Sequence, residues 1–324
     1  MELVGIARNP VPNGAVPGSF VARDGVKIRY ALWPRTADKR LGTVCLFGGR
    51  GEFIEKYFET ITDLRRRGFA VAMMDWRGQG GSDRLLRNPR KGHVEDFADY
   101  DNDLRQFMAE IVLPDCPAPF YGVAHSMGAH ILLRSALTKV CWFDRIMLSA
   151  PMIDINPEMT KRPFLRAFIE ALVLFGGGDF YVPGGRPESF ELRLPEAAQH
   201  TSDPLRLDRV REILKTAPWL TLGSPTIGWL NAAARSIMHI NSFGFASAIR
   251  VPILIVAAGN DTVVSTRIIE QFSSQVKTCR LLVIAGARHE ILQERAEIRD
   301  QFWAAFDAYV PGSNRTMSES QIGL

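Results

Sequence analysis

The segment Phe120–Ala136, FYGVAHSMGAHILLRSA, constrains the fold more than any other in the chain. An apolar run of strand character ends in Ala-His-Ser-Met-Gly, and helical periodicity starts straight after it. A strand that feeds a helix through so short a corner puts that helix against its own sheet, as in a parallel crossover. The corner forces Ser126 onto a strained turn, with its hydroxyl above the strand ends and beside the positive end of the helix. Strand and helix backbones nearly touch there, so the residues two before and two after the serine, Ala124 and Gly128, must be small. A serine so placed is a candidate nucleophile; a buried serine capping a helix is the competing reading.

The same alternation runs through most of the chain. SFVARDGVKIRYALWP predicts a hairpin turned at Asp24-Gly25, after a Pro- and Gly-rich loop over residues 1–18. TVCLFGG, FAVAMMDW, APFYGVAHS and FDRIMLSAP predict buried strands. EKYFETITDLRRRG, ending at Gly68, and GHVEDFADYDNDLRQFMAEI predict helices between them. The rhythm stops after Pro151, gives way to helices and loops, and returns at VPILIVAAG and CRLLVIAG before a last helix in EIRDQFWAAFDAYV. The expectation is therefore an α/β fold with a mostly parallel central sheet flanked by helices and a helical cap inserted after the sixth strand. Its divisions are core over 1–151, cap over 152–245, core again over 246–311, and a disordered tail over 312–324.

Bulk properties exclude several classes. The 324 residues are 46% hydrophobic and 23% charged, as in an ordinary soluble enzyme. Lys and Arg outnumber Asp and Glu by 39 to 35 without a basic tract, which argues against nucleic acid and leaves contact with anionic headgroups open. The four cysteines show no metal-binding spacing, so buried reduced thiols in a cytoplasmic protein are expected. The N-terminus lacks the basic and apolar regions of a secretory signal. The most apolar stretch, FLRAFIEALVLFGGG, is broken by Arg166 and Glu170 and is too short to span a bilayer.

A serine nucleophile needs a base and an acid to orient that base. In this kind of fold they follow the serine in the order acid, then base. Of the six histidines, His289 alone sits in a loop directly after a late strand, LLVIAGARHEIL. Asp261, in ILIVAAGNDTVVS, follows the strand before it. The oxyanion of acyl transfer needs two preorganised N–H donors. Met127, after the serine, and Arg50, in the glycine-rich turn GGRGEF, are the backbone candidates.

These residues together resemble the α/β-hydrolase superfamily, in particular its branch of lysophospholipases and monoacylglycerol lipases, which is also grouped with serine aminopeptidases. The likeness spans roughly residues 20–310 and rests on GGRGEFIEKY, MDWRGQGGSDRL, AHSMGA, and GNDTVVS with ARHEIL. RGQGGSDRLLRNPRKGHVEDFADYDNDL is most similar to bacterial lysophospholipases. Ala124 departs from the family's usual glycine, and Gly48 from the histidine of monoacylglycerol lipases. The resemblance implies a lidded carboxylic ester hydrolase that works through an acyl-enzyme on a small-molecule or lipid ester, with no cofactor or metal.

Within the insertion, Phe168 and Leu172 are candidate acyl-chain contacts or part of a lid face that meets lipid. Trp219 and Trp229 are candidates for the pocket wall. Arg84, Arg87, Arg90 and Lys91 form a basic loop that is either solvated surface or a headgroup attractor. The rivals are an acyltransferase, a proline-iminopeptidase-like peptidase, whose GGPG turn reads GGRG here, and a non-catalytic binding protein on the same fold. Oligomeric state is left open.

Overall fold

The computed structural model describes residues 2–36, 41–137, 141–155 and 163–313. Strands β1 (Val16–Val21) and β2 (Lys27–Trp33) form the expected antiparallel hairpin, with Gly25 at a φ of +90° in its turn. β1 begins inside the stretch expected to be loop. The other strands are β3 (Thr43–Phe47), β4 (Ala70–Met74), β5 (Phe120–His125), β6 (Arg145–Ser149), β7 (Ile253–Ala258) and β8 (Cys279–Ile284). They complete one sheet in the order β1-β2-β4-β3-β5-β6-β7-β8, parallel from β4 to β8.

Side chains alternate along each strand between two cores. Val44, Leu46, Val71 and Met73 face one layer, where the helices Phe58–Arg66 and Ala296–Tyr309 cover them. Cys45, Phe47, Ala72 and Met74 face the other, under the helices Phe97–Phe107 and Ser126–Ser135. Covered faces on both sides explain why these strands read as unbroken apolar runs.

Two local differences have physical causes. The helix expected from Gly92 starts at Phe97, because Asp96 caps it by accepting the Ala98 N–H and Gly92 is bonded instead to Ser224 and Thr226 of the insertion. The four cysteines are unpaired, but only Cys45 is buried; Cys116 and Cys279 are half-buried and Cys141 is exposed.

Between β6 and β7 the chain runs through the helices Pro163–Leu174, Leu194–His200, Pro204–Thr216 and Ile227–Ile240 and the short turn Phe245–Ala248. The insertion is not a free-standing body, since Trp229, Ala232, Ala233 and Ile240 enter the core above the sheet. Most of the expected tail, residues 314–324, lies outside the described residues. Ser313 is buried and donates its hydroxyl to the Val310 carbonyl.

Candidate active site

Three loops meet at the C-terminal ends of the parallel strands. Ser126, after β5, has a φ of +50°, a left-handed conformation that non-glycine residues rarely adopt. A Cβ at position 128 would lie 2.5 Å from the Gly48 carbonyl oxygen, so only glycine lets the helix close onto β3. His289, after β8, holds Nε2 3.0 Å from Ser126 Oγ and Nδ1 2.8 Å from Asp261 Oδ2. Asp261, after β7, accepts the N–H groups of Val263 and Val264 at 2.8 and 3.0 Å on its other oxygen.

The electrostatics suit a proton relay. Burial lowers the His289 pKa and outweighs the Asp261 hydrogen bond that raises it; nearby His125 lowers it further. The imidazole is therefore neutral at neutral pH and can accept a proton at Nε2. Burial opposes the Asp261 charge, but the His289 hydrogen bond and the two backbone donors outweigh it and hold the carboxyl below its usual range.

Around this relay lies a set of buried charges that the sequence reading did not assemble. Glu52 accepts from the Gly49 N–H, from the Tyr57 hydroxyl at 2.6 Å and from His125 Nδ1 at 3.1 Å. Lys56 Nζ lies 2.7 Å from Glu290, 3.1 Å from Glu52 and 3.4 Å from Glu191. His125 Nε2 faces the His289 carbonyl oxygen at 3.2 Å. Both of its ring nitrogens thus face acceptors, which only the doubly protonated ring can satisfy. Burial lowers the His125 pKa, but Glu52 outweighs it and the net shift is upward. The His125 imidazolium thereby ties the turn at Gly49 to the loop that carries His289. Glu52 and Lys56 show the Glu-x-x-x-Lys spacing of a helical ion pair, which was a usable signal. Glu191 and Glu290 gave none, being 135 and 234 residues from Lys56.

A cavity of about 400 Å³ opens over Ser126. Met152, Ile155, Leu230, Val263 and Val264 give it an apolar wall, and Gly49, Arg50, His125 and His289 line its reacting end. Met127, in the first turn of its helix, has an N–H with no intrahelical acceptor. The Arg50 N–H donates to no group among the described residues.

Of the four residues expected to line the pocket, Trp229 does so and is buried. Phe168, Leu172 and Trp219 are corrections. The helix Pro163–Leu174 buries Ile169 and turns Phe168 outward at 60% exposure, while Leu172 is half-buried away from this cavity. Trp219 is 61% exposed because the turn Pro218–Leu220 buries Leu220 and swings its neighbour out. It borders a separate cleft with Arg84 and Arg90. In the basic loop, Arg84 donates to the carbonyls of Gly78, Gly80 and Trp219 and serves as a brace.

A turn bearing serine after β5, a carboxylate after β7 and a histidine after β8 of a mostly parallel sheet is the arrangement of the α/β-hydrolases. A family profile described as serine aminopeptidase, S33, matches residues 38–296. The chain belongs to that family. It is 32% identical to lysophospholipase L2 of Escherichia coli K12, over 93% of this chain and 88% of that protein. It is 28% identical to a probable lysophospholipase L2 of Haemophilus influenzae, over 84% of this chain and 83% of that protein. Among solved structures, a soluble variant of monoglyceride lipase from Saccharomyces cerevisiae superposes with a TM-score of 0.69. That match has 19% identity and covers 92% of this chain and 97% of the other; it bears on the fold alone.

Proposed function

We propose that the chain hydrolyses the carboxylic ester of a single-chain lipid, a lysophospholipid or a monoacylglycerol, through an acyl-enzyme on Ser126. The observation that carries this reading is the relay from Asp261 through His289 to Ser126, at 2.8 and 3.0 Å, on a strained turn beneath an apolar cavity. Ser126 Oγ attacks the ester carbonyl as His289 Nε2 takes its proton. Asp261 holds the imidazole in the required tautomer and stabilises the imidazolium. The N–H groups of Met127 and Arg50 receive the oxyanion. Collapse expels the alcohol, protonated by His289. Water, deprotonated by the same histidine, then releases the fatty acid.

Residues 152–245 act as the cap, since Phe190, Arg193, His200 and Trp229 close the cavity from that side. The curated relatives named lysophospholipases favour a glycerophospholipid substrate over a peptide. Among the described residues no helix is long and apolar enough to cross a membrane. Phe164 and Phe175, 88% and 86% exposed at the two ends of a cap helix, suit peripheral contact of a cytoplasmic protein with a bilayer surface.

The test is fatty-acid release from lysophosphatidylcholine and monoacylglycerol, together with labelling by a fluorophosphonate. The parent chain should release acid and label once, and Ser126→Ala should do neither. Persistent labelling of the variant, or no release by the parent from either lipid, overturns the proposal.

A further inference from the structure

Arg50 brings a guanidinium as well as a backbone N–H to this site. Its Nη2 donates to the Gly223 carbonyl at 2.6 Å, and the group lies over the Trp229 ring at 5.3 Å. Its Nε is buried without a partner. Among the described residues no carboxylate forms an ion pair with it. Three other buried cations among the described residues are neutralised, Arg29 by Glu55 and Asp75, Arg77 by Asp24 and Asp103, and Lys56 by three glutamates; Arg65 is also buried with unpartnered nitrogens, but it does not line this cavity. Burial pushes the Arg50 pKa down to about 10, which still leaves the group charged at neutral pH. An enclosed cation without a counter-ion is costly, and an incoming anion offsets that cost.

The position of this cation limits what the anion can be. Arg50 keeps accessible surface and lines the same cavity as Ser126. Its side chain springs from the residue whose N–H is assigned to the oxyanion, so the guanidinium and the reacting serine belong to one cavity. The carboxylates that line the cavity already have cations, Glu52 and Glu290 in Lys56 and Glu196 in Arg193 at 3.0 Å. A planar fork of donors matches phosphate oxygens.

We infer that the Arg50 guanidinium binds the phosphate of the substrate's leaving group, and so selects glycerophospholipids carrying one acyl chain over neutral monoacylglycerols. This rests on the ester-hydrolase reading above. It goes beyond that reading by assigning the headgroup preference to one side chain.

The experiment compares the full-length parent with Arg50→Gln and Arg50→Lys. The substrates are palmitoyl lysophosphatidylcholine and monopalmitoylglycerol, which share an acyl chain. The quantity read is the ratio of the two kcat/KM values, in which any shift of the Arg50 backbone cancels. A charge-assisted hydrogen bond lost to glutamine should lower that ratio about 10- to 100-fold, and lysine should restore part of it. Glycerophosphocholine should inhibit monopalmitoylglycerol hydrolysis competitively in the parent and lose at least tenfold in potency against Arg50→Gln. An unchanged ratio, with equal losses on both substrates, means that Arg50 only braces the Gly223 loop and overturns the inference. Inhibition by inorganic phosphate with an unchanged ratio assigns the cation to free phosphate and overturns it as well. A parent that turns over neither lipid nor a nitrophenyl ester removes the hydrolase reading itself, a distinct outcome from a parent that is active but indifferent to headgroup.

Discussion

Replacing Lys56 with methionine keeps an unbranched side chain one atom shorter and removes the one ammonium shared by Glu52, Glu191 and Glu290. Breaking a buried ion pair from one side costs about 3–5 kcal/mol, because the remaining charge is stranded. The three carboxylates keep other partners: Glu52 has Tyr57 and His125, Glu191 has Ser189, and Glu290 faces His200. The expected loss is therefore that of one broken pair, not three. In a chain of this length about 2 °C of Tm accompanies each kcal/mol, so Tm should fall by about 6–10 °C at pH 8.

The pH dependence separates this cause from simple loss of packing. Burial alone would raise the Glu290 pKa, but Lys56 and, after it, His200 outweigh burial and bring the group down to about 2. A depressed acid stabilises the fold above its ordinary pKa of 4.5 and loses that contribution progressively as pH falls from there to about 2. Glu290 should thus add nothing to the pH dependence of the parent between pH 8 and pH 5, and the histidine contributions common to parent and variant cancel in their difference. Without Lys56, burial weighs more heavily and the folded-state pKa values of Glu52 and Glu290 rise. The folded variant then binds protons that the folded parent does not, and it gains stability relative to the parent as pH falls from 8 to 5. The gap in Tm between parent and variant, followed by circular dichroism, should shrink by half or more over that range. A gap below 2 °C at pH 8, or one of equal size at both pH values, would refute the reasoning.

Three further outcomes follow from the same geometry. The parent's kcat/KM should rise with pH through an apparent pKa below 6.5, since burial holds His289 below its ordinary value and only the neutral ring is a base; Asp261→Asn should lower kcat about 10⁴-fold and move that limb further down, because the hydrogen bond that raises the pKa is lost. Leu230→Ala should reduce kcat/KM more on long-chain than on acetyl esters, at about 0.8 kcal/mol per methylene no longer buried, whereas Phe168→Ser should leave the dependence on chain length unaltered in detergent-dispersed substrate and weaken sedimentation with anionic vesicles. Gly128→Ala should cost about 2–3 kcal/mol in urea unfolding, because its methyl meets the Gly48 and Phe47 carbonyl oxygens at 2.5 and 2.8 Å.

The residues legible from sequence share one property: local pattern alone determines where they sit. Ser126, Asp261 and His289 each follow an apolar run, and in a parallel sheet the residues after such runs collect at one edge whatever the rest of the chain does. The segment between β6 and β7 offers no such rule. FLRAFIEALVLF carries charge only at Arg166 and Glu170, and the apolar residues over the rest of its surface do not reveal that Ile169 turns inward and Phe168 outward. Trp219 and Trp229 stand in similar company, yet one follows a proline in a single turn and the other opens a helix that Thr226 caps through the Trp229 N–H. The buried charges were the hardest to see. In GGRGEFIEKY a glutamate and a lysine read as the wet side of a helix, because a lone charge belongs in water until a partner removes it. Their partners arrive from the segment between β6 and β7, at Glu191, and from beside the base, at Glu290. Lys56 can therefore be buried only once the segment bearing Glu191 and the His289 loop are both packed against it. The contacts that hold the catalytic base are thus formed by tertiary closure, and pattern reading fails at the charges on which the geometry of His289 depends.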